Sequence, residues 1–205
     1  MNTEASTSEY ERLSDEALML RFRDGDVLAF DLLFSRYLLN TKKRVRFLAG
    51  SEELAEEVFQ GAWEKIIKAK DRYETKATFK TYFYTVLINL IRDHFRKSAN
   101  QAQLHISGDE SKDSELGESI FGGMRSATSR DGEERSFIDE CINFLKEAIN
   151  GLPLDQREPL LLQLDSGFTL EEIATIANVG RETIKSRLRY GLKKLRREVP
   201  RDCYE

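Results

Sequence analysis

Arg181, Glu182, Lys185, Ser186 and Arg189 fall mostly on one side of a helical repeat near the end of the chain. Presented outward from a helix, side chains of these types hydrogen-bond to base edges in a DNA major groove, and their cations meet phosphates. Between Arg181 and Arg201 nine basic residues stand against Glu182 and Glu198, a local balance of +7 in a chain whose net charge is −4. A basic stripe on an acidic protein points to a polyanionic partner rather than to solubility alone. A second set suits nucleic acid in another form. In Phe79–Lys97 five aromatics (Phe79, Tyr82, Phe83, Tyr84, Phe95) are interleaved with basic residues, and single strands are held by rings that stack bases beside cations that meet phosphates. Most of these rings are expected in a core. Lys80, Tyr82 and the polar loop Asp71–Thr78 are the better contact candidates, with Asn89, Arg92 and Arg96 on a polar side further along. A third set, Leu54, Glu56, Glu57, Gln60 and Glu64, forms an acidic and amidic shoulder, read either as a solvated face or as a docking surface for a basic partner.

The elements that must position these residues are helices. Three prolines in 205 residues, and glycines that fall mostly outside the long periodic segments, favour them. Ser14-Asp15-Glu16 opens a helix with Leu18 and Phe22 on its apolar side. Asp24-Gly25-Asp26 turns the chain into a helix over about 27–48, with Phe30, Leu33, Phe34, Tyr37 and Leu38 inward. Gly50 stops it and Ser51 caps the next helix, about 52–69, whose apolar stripe is wider than one packing face needs. The helix over 79–97 completes a first unit. In the second unit Phe137, Cys141, Phe144, Leu145 and Ala148 mark one helix. The segment 155–165 is another, with Pro159 tolerable only in its first turn. Thr169 and Glu172 make a capping box for a short helix with Ile173, Ala174 and Ala177 inside. Asn178 suits a left-handed turn, Gly180 caps the helix that follows, and Ile184, Leu188 and Leu195 face its core. This is the layout of a helix-turn-helix.

The expected fold is therefore all-α, two small helical domains joined by a flexible acidic linker, the C-terminal one a helix-turn-helix. The expected divisions are a disordered 1–13, a first domain over 14–97, a linker over 98–136, a second domain over 137–199 and a tail over 200–205. The linker rests on composition: from Ser107 to Glu134 eight acidic residues stand against Lys112, Arg125 and Arg130. No apolar run is long enough to span a membrane, and the polar, acidic start is no signal peptide. The expected compartment is the cytoplasm. Cys141 and Cys203 match no metal spacing, with Cys141 read as a core residue and Cys203 as exposed in the tail. Neither histidine follows a glutamate at the Glu-x-x-His spacing of helical di-metal sites, and there is no nucleophile motif or phosphate-cradling loop. No cofactor, no metal and no enzymatic activity are expected.

Three segments in order resemble bacterial sigma factors of the sigma-70 family, specifically the small two-domain extracytoplasmic-function group. Ala55–Ile67 (AEEVFQGAWEKII) is similar to that family's polymerase-binding helix, with Gln60 at its glutamine. Phe79–Lys97 is similar to its promoter-melting helix, with Thr81, Asn89, Asp93 and Arg96 in place. Leu152–Arg197 resembles its promoter-reading domain. The resemblance implies a factor that binds core RNA polymerase through Leu54, Glu56, Glu57, Gln60 and Glu64. It implies contacts to a single-stranded -10 element by Tyr73, Thr75, Lys76, Thr78, Lys80, Tyr82, Asn89, Arg92 and Arg96. It implies duplex reading at -35 by Arg181, Glu182, Thr183, Lys185, Ser186, Arg187 and Arg189, and it implies an anti-sigma partner. Tyr82 stands where the family usually has Trp, Glu57 where it has Asp, and Thr75-Lys76 where it commonly has Gly-Asp, so the -10 base preference is this chain's own. The alternative from the residues alone is a helix-turn-helix regulator that works without polymerase.

Overall fold

In a computed structural model the described residues are 10–105, 132–164 and 167–204. Among them the regular structure is helical, and the chain divides into two compact units, Met1–Ser111 and Lys112–Glu205. The expected linker composition over 107–134 lies almost wholly outside the described residues.

The first unit contains α1 (Asp15–Arg23), α2 (Val27–Ala49), α3 (Glu52–Ala69), a 3-10 turn (Lys70–Arg72) and α4 (Phe79–His105). Its helix ends follow local chemistry. The Ser14 hydroxyl accepts from the Ala17 N–H at 3.2 Å, Asp26 from Ala29 at 3.2 Å and Ser51 from Leu54 at 3.1 Å. Each satisfies an amide that helix geometry leaves unpaired. Gly50 ends α2 at φ 85°, where a side chain would be strained. The breadth of the α3 stripe has a simple cause: α3 packs on α2 with one flank and on α4 with the other. Trp63 sits between them, its ring centroid 5.2 Å from Phe34 of α2 and 4.9 Å from Phe83 of α4. Tyr37, Phe59 and Phe79 continue this aromatic core. Met19, absent from the sequence-derived core, is fully buried.

Two boundaries differ from the sequence expectation. The expected frayed start does not extend to residue 13. Arg36 Nη1 donates to the Leu13 carbonyl and to Asp15 at 2.8 and 2.7 Å, Arg36 Nη2 donates to the Glu11 carbonyl at 2.8 Å, and the Tyr10 hydroxyl donates to Asp26 at 2.6 Å. A guanidinium with five donors can gather a turn in this way. At the other end α4 runs on to His105, because Ser98–His105 carries neither Gly nor Pro to stop it.

The second unit contains α5 (Gly132–Asn150), α6 (Leu154–Leu164), α7 (Leu170–Ala177), α8 (Arg181–Glu198) and a 3-10 turn (Arg201–Cys203). Its core gathers Ala148, Ile149, Leu152, Leu160, Leu162, Ile173, Ile176, Ile184 and Leu188. The expected condition on Pro159 does not hold: α6 begins at Leu154, so the proline lies beyond the first turn. The ring removes one backbone donor, and the neighbouring Leu160 and Leu162, 3% and 1% exposed, supply burial that offsets it. The reading of both cysteines is also corrected. Cys141 and Cys203 are bonded to each other across 62 residues, with their Cα atoms 5.4 Å apart. That separation suits a disulfide, and the tail is tied to α5 rather than loose.

Candidate nucleic-acid interface

The α7–α8 turn is built as its residues require. Thr169 and Glu172 make both halves of the capping box: the Glu172 N–H donates to Thr169 Oγ1 at 3.2 Å, and the Thr169 N–H donates to Glu172 Oε2 at 2.8 Å. Asn178 adopts φ 53°, ψ 47°, the one left-handed residue other than glycine among those described. Gly180 then serves as N-cap without a side-chain bond. Ile184, Leu188 and Leu195 anchor α8 in the core.

This anchoring turns Glu182, Ser186, Arg189 and Lys193 to the far side, at helical spacings of four and three. Glu182, Thr183, Lys185 and Arg189 are exposed and Ser186 is half-buried. The Lys185 ammonium sits 2.7 Å from Glu182, and that contact holds the Glu182 carboxyl below the usual carboxylate range. The Arg189 guanidinium lies over the Tyr190 ring at 5.1 Å. Not every cation of the stripe points outward. Arg187 turns back to Asp155 of α6 at 3.5 Å, Arg181 pairs with Glu171 of α7 at 2.6 Å, and Lys194 donates to the Gly151 carbonyl at 2.6 Å. Helical periodicity alone does not separate such bracing cations from reading ones.

In the first unit α4 carries a continuous polar stripe. Tyr82, Asn89, Arg92 and Arg96 lie within one quadrant of the helix, with Thr85 between them, a position the sequence reading passed over. Asn89 and Arg96 are exposed, and Arg96 pairs with Asp93 at 3.0 Å. Lys80 lies on the opposite side of the helix, beside the loop. The loop itself divides in two. Thr75, Lys76 and Thr78 are exposed. Tyr73 is 5% exposed and packs at 6.2 Å from Phe79 and 5.5 Å from Tyr82. Its ring holds the loop to the core, and burial pushes its hydroxyl up to about 12, helped by the charge of Glu16.

Two side chains fix the start of α4. The Thr78 hydroxyl accepts from the Thr81 N–H at 3.2 Å. Glu16, reaching across from α1, accepts from the Phe79 N–H at 2.6 Å. Burial raises the Glu16 carboxyl, but the Phe79 N–H, its own N–H and the Ser14 hydroxyl together hold it below the usual range. A carboxylate there also meets the positive end of the helix dipole. Nothing local in the sequence marks Glu16 for this role, because its partner is 63 residues away.

The α3 shoulder resolves into a stripe of Glu57, Gln60 and Glu64, all exposed. The exposed Glu53 and Ile67 continue it at the same spacing and were not singled out by sequence. Leu54 is 7% exposed and belongs to the core. Glu56 is half-buried and engaged: it pairs with Lys42 of α2 and accepts from Gln60 Nε2 at 2.7 Å, contacts that hold its carboxyl low. Among the described residues no helix is long and apolar enough to cross a membrane, and no cluster of His, Cys, Asp and Glu has the geometry to hold a metal ion.

Residues 33–101 match the family described as Sigma-70 region 2, and residues 148–197 match Sigma-70, region 4. Together these cover more than half of the chain. The chain is 29% identical to the RNA polymerase sigma-H factor of Pseudomonas aeruginosa, over 85% of this chain and 88% of that one. It is 26% identical to the ECF RNA polymerase sigma-E factor of Escherichia coli, over 87% and 90%. Among solved structures, the sigma factor RpoE in complex with the anti-sigma factor NepR from Bartonella quintana shares the fold. The TM-score is 0.63 at 24% identity, covering 82% of this chain and 94% of that chain.

Proposed function

The chain belongs to the sigma-70 family, in its extracytoplasmic-function group, and directs promoter-specific transcription initiation; we propose that its first unit holds core RNA polymerase and the -10 strand while its second reads the -35 duplex. The observation that carries this division is the pairing of region 2 with the α3 and α4 stripes and of region 4 with the outward face of α8.

In this reading Glu57, Gln60 and Glu64 make the polymerase contact, with Glu56 held in place beside them. Thr75, Lys76 and Thr78 at the loop, with Tyr82, Asn89, Arg92 and Arg96 along α4, take the -10 strand. Binding single strand better than duplex shifts the population toward the open promoter. An extruded base costs a few kcal/mol, which stacking and pocket contacts offset. Lys80 serves the backbone beside the loop. Tyr73 acts by shaping the loop rather than by touching bases. At -35, Glu182, Thr183, Lys185, Ser186 and Arg189 face the groove, while Arg181 and Arg187 set the angle of α8 and meet phosphates at its edge.

The factor acts by binding, and we assign it no catalytic step and no cofactor; nucleotide addition belongs to the polymerase. We place it in the cytoplasm with its DNA. We also infer an anti-sigma partner, since an acidic α3 stripe and a basic α8 face both require occlusion when the factor is idle. The RpoE structure was solved with such a partner. Co-purification from native cells tests this, and a pool that is free and active under all conditions contradicts it.

Binding to purified core polymerase tests the main reading. The wild-type chain is expected to associate, and Glu57→Arg with Glu64→Arg to lose association while keeping duplex binding. A wild-type chain that binds duplex DNA but not core polymerase would instead be a regulator acting alone.

A further inference from the structure

Cys141 and Cys203 are the two cysteines of the chain, and the fold of the second unit brings them together. Cys141 lies at the middle of α5 and Cys203 in the turn that follows α8. Both line an apolar groove of about 550 Å³ walled by Phe137, Ile138, Leu145, Leu195 and Val199. The groove opens to solvent: Phe137 is 46% exposed and Tyr204, beside Cys203, is 50% exposed. Both cysteines are half-buried, and the groove is the route by which a small solute would approach them. Apart from the disulfide and these apolar contacts, the tail is held by backbone bonds of its own turn and by the Tyr204 hydroxyl, which donates to the Arg196 carbonyl at 3.4 Å.

A factor that works on DNA with RNA polymerase, as proposed above, works where thiols are kept reduced. In such a compartment a disulfide is usually transient and redox-sensing rather than structural. We propose that Cys141 and Cys203 form a redox-modification site, a dithiol that exchanges with small-molecule disulfides of the glutathione class and, when oxidised, staples the chain's end to α5 and so holds the end of the DNA-reading helix in place.

The chemistry balances without another reactant. One cysteine thiolate attacks the small disulfide, forming a mixed disulfide and releasing one thiolate, which takes up a proton. The second cysteine loses its proton and displaces the other small thiol, closing the Cys141–Cys203 bond. Two thiols are oxidised and one small disulfide is reduced to two thiols. Reaction follows thiolate character and access, and the open groove provides the access. The consequence falls on α8 because the staple sits immediately beyond its last turn. Without it, the end of α8 is held by the groove contacts, the backbone bonds of its own turn, the Lys194–Glu198 and Arg197–Glu198 pairs and the bonds from Lys194 and Tyr204.

The test uses the full chain equilibrated across ratios of reduced to oxidised glutathione, with free thiols counted by alkylation and mass spectrometry. Each sample is also assayed for binding to a mixed-sequence DNA duplex at low salt. Both thiols are expected to disappear together in one two-electron step, to return on reversal of the ratio, and to raise duplex affinity severalfold when oxidised. Cys203→Ser is expected to bind at the reduced level at every ratio. Thiols that stay free in oxidised glutathione, a bond that persists in excess reduced glutathione, or equal duplex binding by the two forms would each overturn the proposal. If neither form binds duplex, the functional reading fails, and the thiol count decides the site by itself.

Discussion

Tyr73 separates two meanings of an aromatic residue beside a polar, exposed loop. Its hydroxyl is buried and makes no hydrogen bond among the described residues, a cost of about 1–3 kcal/mol for such a group. Tyr73→Phe is therefore expected to stabilise the first unit by about 1 kcal/mol in chemical denaturation. The same phenol carries a pH dependence. Its folded value lies near 12 against an ordinary 10.0, so the neutral form is favoured by folding. That contribution is complete below pH 10 and is lost as pH rises towards 12. Tyr73→Phe is expected to flatten this alkaline decline, measured as midpoint against pH. Arg187 and Arg189 make a second residue-scale contrast. Arg187 braces Asp155, whereas Arg189 faces outward. Arg189→Ala is expected to weaken duplex binding by about 1–3 kcal/mol and to relax preference at one base pair. Arg187→Ala should cost about 0.5 kcal/mol of stability and leave base preference unchanged. Binding to a panel of singly altered duplexes distinguishes them.

At the scale of elements, the helix ends were legible because their causes are local. Ser14, Ser51, Gly50 and the Thr169–Glu172 pair act within one turn of the residues they cap. Asn178 belongs with them, and its left-handed conformation predicts a graded series. Asn178→Ala is expected to cost about 1 kcal/mol and Asn178→Gly nothing, measured on the unfolding of the second unit. What stayed illegible depends on distance. Glu16 caps a helix 63 residues away and Cys141 pairs across 62, and no local pattern carries either contact. Leu54 and Tyr73 read as surface residues because each sits beside polar neighbours, while the fold buries Leu54 and packs Tyr73 against Phe79. The extension of α4 to His105 was hidden by polar residues that read as linker yet hold no helix breaker.

At the scale of the whole molecule, each unit encloses its own core, and the disulfide lies entirely within the second. Closing a loop of this length constrains the unfolded chain by about 4 kcal/mol in the chain-entropy estimate. Reduction is therefore expected to lower the unfolding transition of the second unit and to leave that of the first unmoved, seen as two calorimetric transitions of which one shifts. A unit of this size gains little from burial alone, so a staple counts for more there. In the proposed reading the two units divide the work: the α8 face finds duplex, the α3 stripe holds polymerase, and one chain carrying both brings the enzyme to a start site. The most direct measurement is run-off transcription from fragmented genomic DNA of the source organism, using purified core polymerase with and without this protein. Transcripts from discrete starts that share two spaced upstream elements are the predicted result. Duplex binding with no new starts would contradict it.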